Sequence, residues 1–246
     1  MVRHSHGAAS PENLTYRHRR SGGQCGLHHN ANNDRKVVEL SGRDIPSMAG
    51  GPGPCAAIWS LPSTSMQTGL NGPDLPAHDS PAGPATASIH IDTLMAAEPG
   101  TITLCTLGPL TNIAMALVKQ PAIAERIAEI VMMGGAYFEV GNITPAAEFN
   151  IYVDPEAADV VLRSGAPITM LPLDVTHQIQ STPERLDAIL ALGNKSGAAV
   201  HAMLTFSETF DLQKYGWAGA PLHDPTVIAY LLQPDLFEGR HCNVTI

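Results

Sequence analysis

Beyond residue 100 the chain alternates short apolar runs with stretches of helical periodicity, and this alternation narrows the possible folds more than any other feature. The runs cover 102–107, 130–133 and 168–173. Each is short and lacks polar alternation, so each reads as a strand buried on both faces. Helical periodicity runs over 110–118, 155–163, 183–192, 200–209 and 225–232. Pro155, Pro183 and Pro225 suit a first helical turn, with Asp154, Thr182 and Asp224 as N-caps. Strand and helix in repeated succession predict an α/β fold, an open and mostly parallel sheet flanked by helices with a Rossmann-like core. Ligands of such sheets sit beyond the carboxyl ends of the strands, so the residues just after each run carry the functional information.

Upstream the pattern is weak. Gly and Pro punctuate the chain at Gly50-Gly51-Pro52-Gly53-Pro54, Pro73, Pro76, Pro81 and Pro84, and only 36–40 and 87–97 look like element cores. The expected organisation is an atypical, partly disordered first part over 1–95 and an α/β core over 96–246 that stops short of its full length. Residues 1–36 hold six Lys/Arg against two Asp/Glu, whereas the other residues hold eight against twenty-one, which gives the net −9. The basic end is either a poorly ordered tail or a nucleic-acid arm, and the acidic body repels phosphate backbones. Nucleic acid is therefore not the expected partner. No apolar run is long enough to span a membrane, and no export signal opens the chain, so a cytoplasmic protein without a membrane partner is expected. Cys25, Cys55, Cys105 and Cys242 are scattered, which fits reduced, buried thiols.

Three segments could carry chemistry. Gly134-Gly135 after an apolar run either cradles a phosphate or permits tight packing, and it lacks the spacing of a nucleotide-binding loop. The stretch Gly141-Asn142-Ile143-Thr144-Pro145-Ala146-Ala147-Glu148-Phe149-Asn150 puts two amides and a carboxylate on one connection. Such a cluster either grips a polyhydroxylated ligand or forms an Asx-rich turn. His223-Asp224-Pro225 is either a helix cap with a packed histidine or an acid/base pair that could also ligate a hard metal. Tyr215 and Trp217 stand just upstream on a Gly-containing segment, and His177 reads as a satisfied structural histidine. No nucleophile elbow or HExxH motif occurs, which removes serine hydrolases and zinc peptidases.

The strings Leu107-Gly108-Pro109-Leu110-Thr111-Asn112-Ile113-Ala114, Met133-Gly134-Gly135-Ala136, Gly141-Asn142 through Glu148-Phe149-Asn150, Asp154-Pro155-Glu156-Ala157-Ala158, Pro172-Leu173-Asp174-Val175-Thr176-His177 and His223-Asp224-Pro225 occur in this order. Together they resemble the inosine–uridine preferring nucleoside hydrolases, over about residues 100–246, with weaker echoes at 36–46 and 68–72. The resemblance implies hydrolysis of the N-glycosidic bond of a purine or pyrimidine ribonucleoside to base and ribose. It also implies Ca²⁺ at the carboxyl edge of the sheet and a homodimer or homotetramer. Position by position, it implies that Asp224 and the Leu107 carbonyl ligate Ca²⁺. Asn142, Glu148 and Asn150 would bind the ribose, Met133 and Phe149 would form apolar walls, and His223 and Asp224 would be catalytic, with His223 beside the leaving base. Tyr215 and Trp217 fall where the family has a mobile loop.

The resemblance has a gap. The family's N-terminal DxDxGxDD cluster has no counterpart, since Asp34, Asp44, Asp74 and Asp79 are isolated. Gln24 stands where an asparagine is expected, and Met66-Gln67 where a His-Gly pair is expected. One carboxylate and one carbonyl fall short of the roughly six to eight oxygens that Ca²⁺ takes. Weak Ca²⁺ binding is therefore expected, and a non-catalytic nucleoside- or ribose-binding protein is the alternative function.

Overall fold

The computed structural model describes residues 2–3, 18–20, 27–43, 45, 47–49, 73, 75 and 88–246. Cys25, Cys55, Gln24, Asp44, Asp74, Asp79, Met66, Gln67, the Gly50–Pro54 run and the 68–72 echo lie outside these residues. The elements in chain order are β1 (Val2–Arg3), β2 (His18–Arg20), α1 (Leu27–Ser41), β3 (Ser47–Ala49), α2 (Ser88–Ala96), β4 (Ile102–Thr106), α3 (Thr111–Lys119) and β5 (Ile127–Met133). They continue as α4 (Phe149–Val153), α5 (Pro155–Leu162), β6 (Ile168–Leu171), α6 (Leu173–Thr176), β7 (Gln180–Ser181), α7 (Pro183–Leu190), α8 (Lys195–Tyr215), β8 (Ala220–Pro221) and α9 (His223–Leu232).

The three apolar runs form one sheet, ordered β1-β4-β5-β6. β4, β5 and β6 are parallel, and β1 adds an antiparallel edge. β5 explains why its residues are apolar without alternation. Ile130 and Met132 pack on one face with Leu104, Ile113, Leu117, Ala157 and Val161 from β4, α3 and α5. Val131 and Met133 point to the other face, against Leu171, Leu173, Val227 and Leu231. A strand covered on both sides gains from apolar side chains at every position.

Register brings the strand ends into line: Thr106 is level with Met132, and Met133 with Leu171. Leu107, Gly134-Gly135 and Pro172-Leu173 therefore share one edge of the sheet. β6 is shorter than the apolar run, because Pro172 has no N–H for the ladder and the chain turns into α6. β5 starts three residues before its apolar run, at Ile127, led in by a 3₁₀ turn over Pro121–Arg126.

Of the three expected caps, Asp154 holds as read: it accepts from the Ala157 N–H at 3.1 Å and from Thr111 Oγ1 at 2.5 Å. It is fully buried and so ties α5 to α3. Thr182 occupies the N-cap position of α7 without capping, and its side chain bonds Glu184 instead. Asp224 is not a cap. The Leu222 N–H is held by the Ile179 carbonyl at 2.7 Å, and the helix starts two residues sooner, at His223, with Leu222 in the cap position. Cys105 is partly buried and reduced, but Cys242 is exposed, against the expectation of buried thiols. No helix among the described residues is long and apolar enough to cross a membrane.

The connection after β5 is fixed by one carboxylate. Asp174 accepts from the backbone N–H groups of Tyr137, Phe138 and Glu139 at 2.8, 2.7 and 3.1 Å. Partial burial pushes its pKa up, but the backbone N–H bonds outweigh burial and hold the carboxyl below its ordinary value. A carboxylate with a depressed pKa gives its stabilisation above its ordinary value and loses it only as the pH falls through the lowered one. The clamp is thus fully charged at neutral pH.

Two outcomes are expected. Asp154→Ala leaves a buried hydroxyl and a helix N–H without their acceptor, which should cost about 2–4 kcal/mol in urea unfolding, with Asp154→Asn costing less. An Asp154→Ala midpoint equal to wild type would contradict this. In Asp174→Ala at pH 7.5, chymotrypsin should cut after Tyr137 or Phe138 about tenfold faster, since these side chains are 80% and 84% exposed and the clamp holds all three backbone N–H groups of the segment. Unchanged cleavage would show that other contacts hold it.

Candidate active site

Glu148 is the centre of the arrangement. It is 2% exposed, and both carboxylate oxygens are occupied by backbone donors. Oε1 accepts from Asn150 N at 2.9 Å, while Oε2 accepts from Gly135 N at 3.0 Å and Ile151 N at 3.2 Å. It therefore caps α4 and at the same time bolts the 141–150 connection to the end of β5. Burial raises its pKa most, the three N–H bonds oppose that, and the Asp224 charge raises it further, so the carboxyl ends above its ordinary value.

The glycines fit this geometry. Gly135 has φ of +83°, a backbone conformation that side chains resist, and its N–H reaches Glu148 rather than an external phosphate. Of its two open readings, the packing one holds. Gly141 lies so close to the Thr144 and Ala147 backbones that an added Cβ would meet the Ala147 oxygen at 2.2 Å. The connection can close on itself only with glycine there.

The amides take up their positions around this centre. Asn142 Oδ1 accepts from Phe149 N at 2.8 Å, which closes the connection. Asn150 is buried, and its Nδ2 donates to the Met133 carbonyl at 3.1 Å and contacts Met133 sulfur at 3.4 Å. Met133, Asn142, Glu148, Phe149 and Asn150 are thus joined by direct bonds. Leu107 packs in the same apolar cluster as Met133, Leu173 and Val227. That cluster seats α9, whose first residues are His223 and Asp224.

His223 is partly buried, with Nδ1 2.8 Å from Thr176 Oγ1. Burial, and secondarily the His177 charge, lower its pKa to about 4, so the imidazole is neutral at pH 7. His177 is buried as expected, its Nδ1 3.1 Å from Glu139 Oε2. Its ring lies 4.7 Å from that of Trp217 and 5.8 Å from that of His223. Trp217 therefore meets His177, and the side chain of Tyr215 lies outside the described residues. Thr176, Glu139 and Asp174 were not read from the sequence as parts of the site. Thr176 and Asp174 stand in the string that ends at His177, whereas no local signal marks Glu139. Asp34 accepts from Ser47 Oγ at 2.5 Å and so serves to join α1 to β3.

Among the described residues, no three His, Cys, Asp or Glu side chains gather into a metal-binding group. The oxygens that the resemblance implies for Ca²⁺ are an Asp224 carboxylate and the Leu107 carbonyl. Ca²⁺ requires roughly six to eight, so the described donors do not fit a Ca²⁺ site.

Comparison with known proteins identifies the family. The family model described as inosine-uridine preferring nucleoside hydrolase matches residues 20–246, a match that starts well before the strings near residue 100. An uncharacterized protein of Schizosaccharomyces pombe is 48% identical over 220 residues, covering 87% of this chain and 70% of its own length. The pyrimidine-specific ribonucleoside hydrolase RihA of Shewanella oneidensis is 43% identical over 218 residues, covering 87% of this chain and 68% of its own. Among solved structures, a purine-preferring ribonucleoside hydrolase from Gardnerella vaginalis superposes with a TM-score of 0.90 at 28% identity, over 96% of this chain and 77% of that one. The chain belongs to the inosine-uridine preferring nucleoside hydrolase family, enzymes that hydrolyse the N-glycosidic bond of nucleosides.

Proposed function

We propose that the edge of the sheet formed by Leu107, Met133, Asn142, Glu148, Phe149, Asn150, His223 and Asp224 is the site of that hydrolysis. The observation that carries this reading is the Glu148 carboxylate, bonded to the end of β5 and to α4 and coupled to the charge of Asp224. Cleavage of an N-glycosidic bond builds positive charge on the ribose ring. Glu148 and Asp224 repel each other, and a cation formed near both relieves that repulsion, so their field would favour the transition state over the bound nucleoside. Asp224 in this reading also orients the attacking water.

The remaining residues orient the substrate. Asn150 has committed its Nδ2 to Met133, so it offers a ribose hydroxyl its amide oxygen. Met133 and Phe149 give the sugar apolar walls. His223, beside the departing base, stabilises the electron pair left on the base nitrogen by hydrogen bonding. The 43% identity to a protein named pyrimidine-specific supports uridine or cytidine as the better substrates. The same reading includes a cytoplasmic homodimer or homotetramer acting on small nucleosides, in keeping with the net charge of −9. The described donors do not fit Ca²⁺, and that shortage favours a second reading, a nucleoside-binding protein without turnover.

Two measurements test these readings. Initial rates of ribose release from uridine and inosine should show turnover that Glu148→Gln lowers by about 100-fold or more. No turnover in wild type, with uridine still raising the melting temperature, would establish the binding reading instead. Calorimetric titration with Ca²⁺ should show no binding in the micromolar range, and a micromolar Kd would overturn the conclusion drawn from the donor count.

A further inference from the structure

The short helix α6 supports His223 with two consecutive side chains. Thr176, fully buried, places Oγ1 2.8 Å from His223 Nδ1. His177 lays its ring against that of His223 at an angle of 57°, and is itself held by Glu139 and covered by Trp217. The ring of His223 is thus confined on one side, and the partner of its Nδ1 is a single hydroxyl.

A neutral imidazole carries one N–H and one bare nitrogen, and the partner of either nitrogen decides which is which. A threonine hydroxyl can donate or accept. Among the described residues Thr176 Oγ1 has no second hydrogen-bond partner. If Nδ1 held the proton, the Thr176 O–H would be buried without an acceptor, the costly arrangement. If the hydroxyl donates to Nδ1, both groups are satisfied and the ring proton sits on Nε2.

We propose that Thr176 is a positioning residue for N-glycosidic hydrolysis: its hydroxyl donates to His223 Nδ1 and keeps the imidazole proton on Nε2, ready to hydrogen-bond the leaving base. The inference rests on the placement of His223 beside that base. A base departing with the electron pair of the broken C–N bond needs a donor facing it, and the other tautomer would present a bare nitrogen and repel it. A mis-set tautomer leaves the ring in place and still removes its function.

The test uses the full chain in two arms. In protein labelled with ¹⁵N-histidine, nitrogen–proton correlation spectra at pH 7.5 should show His223, assigned by its absence in His223→Gln, as the Nε2–H tautomer. Thr176→Val should turn it into a mixture, and Thr176→Ser should restore it. In the second arm, uridine is compared with p-nitrophenyl riboside, whose phenolate leaves without a hydrogen-bond donor. The ratio of uridine to p-nitrophenyl riboside turnover should fall about 10- to 100-fold in Thr176→Val and recover in Thr176→Ser. A purely structural role would lower both rates together and leave the ratio unchanged. A wild-type His223 protonated on Nδ1, or an unchanged ratio in Thr176→Val, overturns the proposal. If the tautomer responds to Thr176 as expected but wild type hydrolyses neither substrate, the positioning contact stands and the placement of His223 in a working hydrolase site falls.

Discussion

A single buried carboxylate organises this end of the sheet. Glu148 has almost no contact with water, and an ionised carboxyl in that position is expensive unless its oxygens are bonded. Three backbone N–H groups supply those bonds, from Gly135, Asn150 and Ile151. Each donor comes with a constraint. Gly135 must adopt a positive φ, and Asn150 and Ile151 must be the second and third residues of a helix. Gly141 must lie against the backbone of Ala147 for the connection to return at all. These local peculiarities are consequences of holding one charge in one place.

The platform beneath is the strand β5, buried on both faces. One face is packed by α3 and α5, which the buried Asp154 ties together through Thr111 and the α5 N-terminus. The other face carries Met133 and Val131 and receives Val227 and Leu231 of α9. The helix that bears His223 and Asp224 is thus seated by apolar contact on the same strand whose last residues reach Asn150 and Glu148. Packing, with its short range and dense fit, makes a rigid base for groups whose electrostatics need accurate spacing.

The layout of this base was largely legible in the sequence, and the reason is periodicity. Short apolar runs mark β4 through β6, and 3.6-residue spacing marks α3, α5, α7 and α9, the last three with a proline in the first turn. What periodicity misses is short or capped by unusual residues. α4 and α6 span five and four residues, too few to show a pattern, and α4 is capped by Glu148 rather than by the Ser, Thr, Asp or Asn that mark most helix starts. Asp224 reads as a cap from its place before Pro225, yet Leu222, bonded to Ile179, takes the cap position and the helix starts two residues earlier. Contacts such as His177 with Glu139, 38 residues apart, leave no local trace, so the histidine was legible and its partner was not.

Burial acts on both ionisable groups at the centre of this arrangement. Burial pushes Glu148 upward and His223 down to about 4, in each case disfavouring the charged form. In a purely structural core those penalties would favour apolar replacements, which pack as well and need no hydrogen bonds. Here each penalised group is instead supplied with a specific partner, three amides for the carboxylate and a threonine hydroxyl for the imidazole. A carboxylate made uncomfortable by its surroundings and by a second carboxylate gains most when a positive charge arrives beside it. An imidazole that resists protonation stays neutral, the form that the role proposed for His223 requires. The two perturbations oppose each other in direction and, in the proposed site, would converge in use: one end answering a cation growing on the sugar, the other the electron pair leaving with the base.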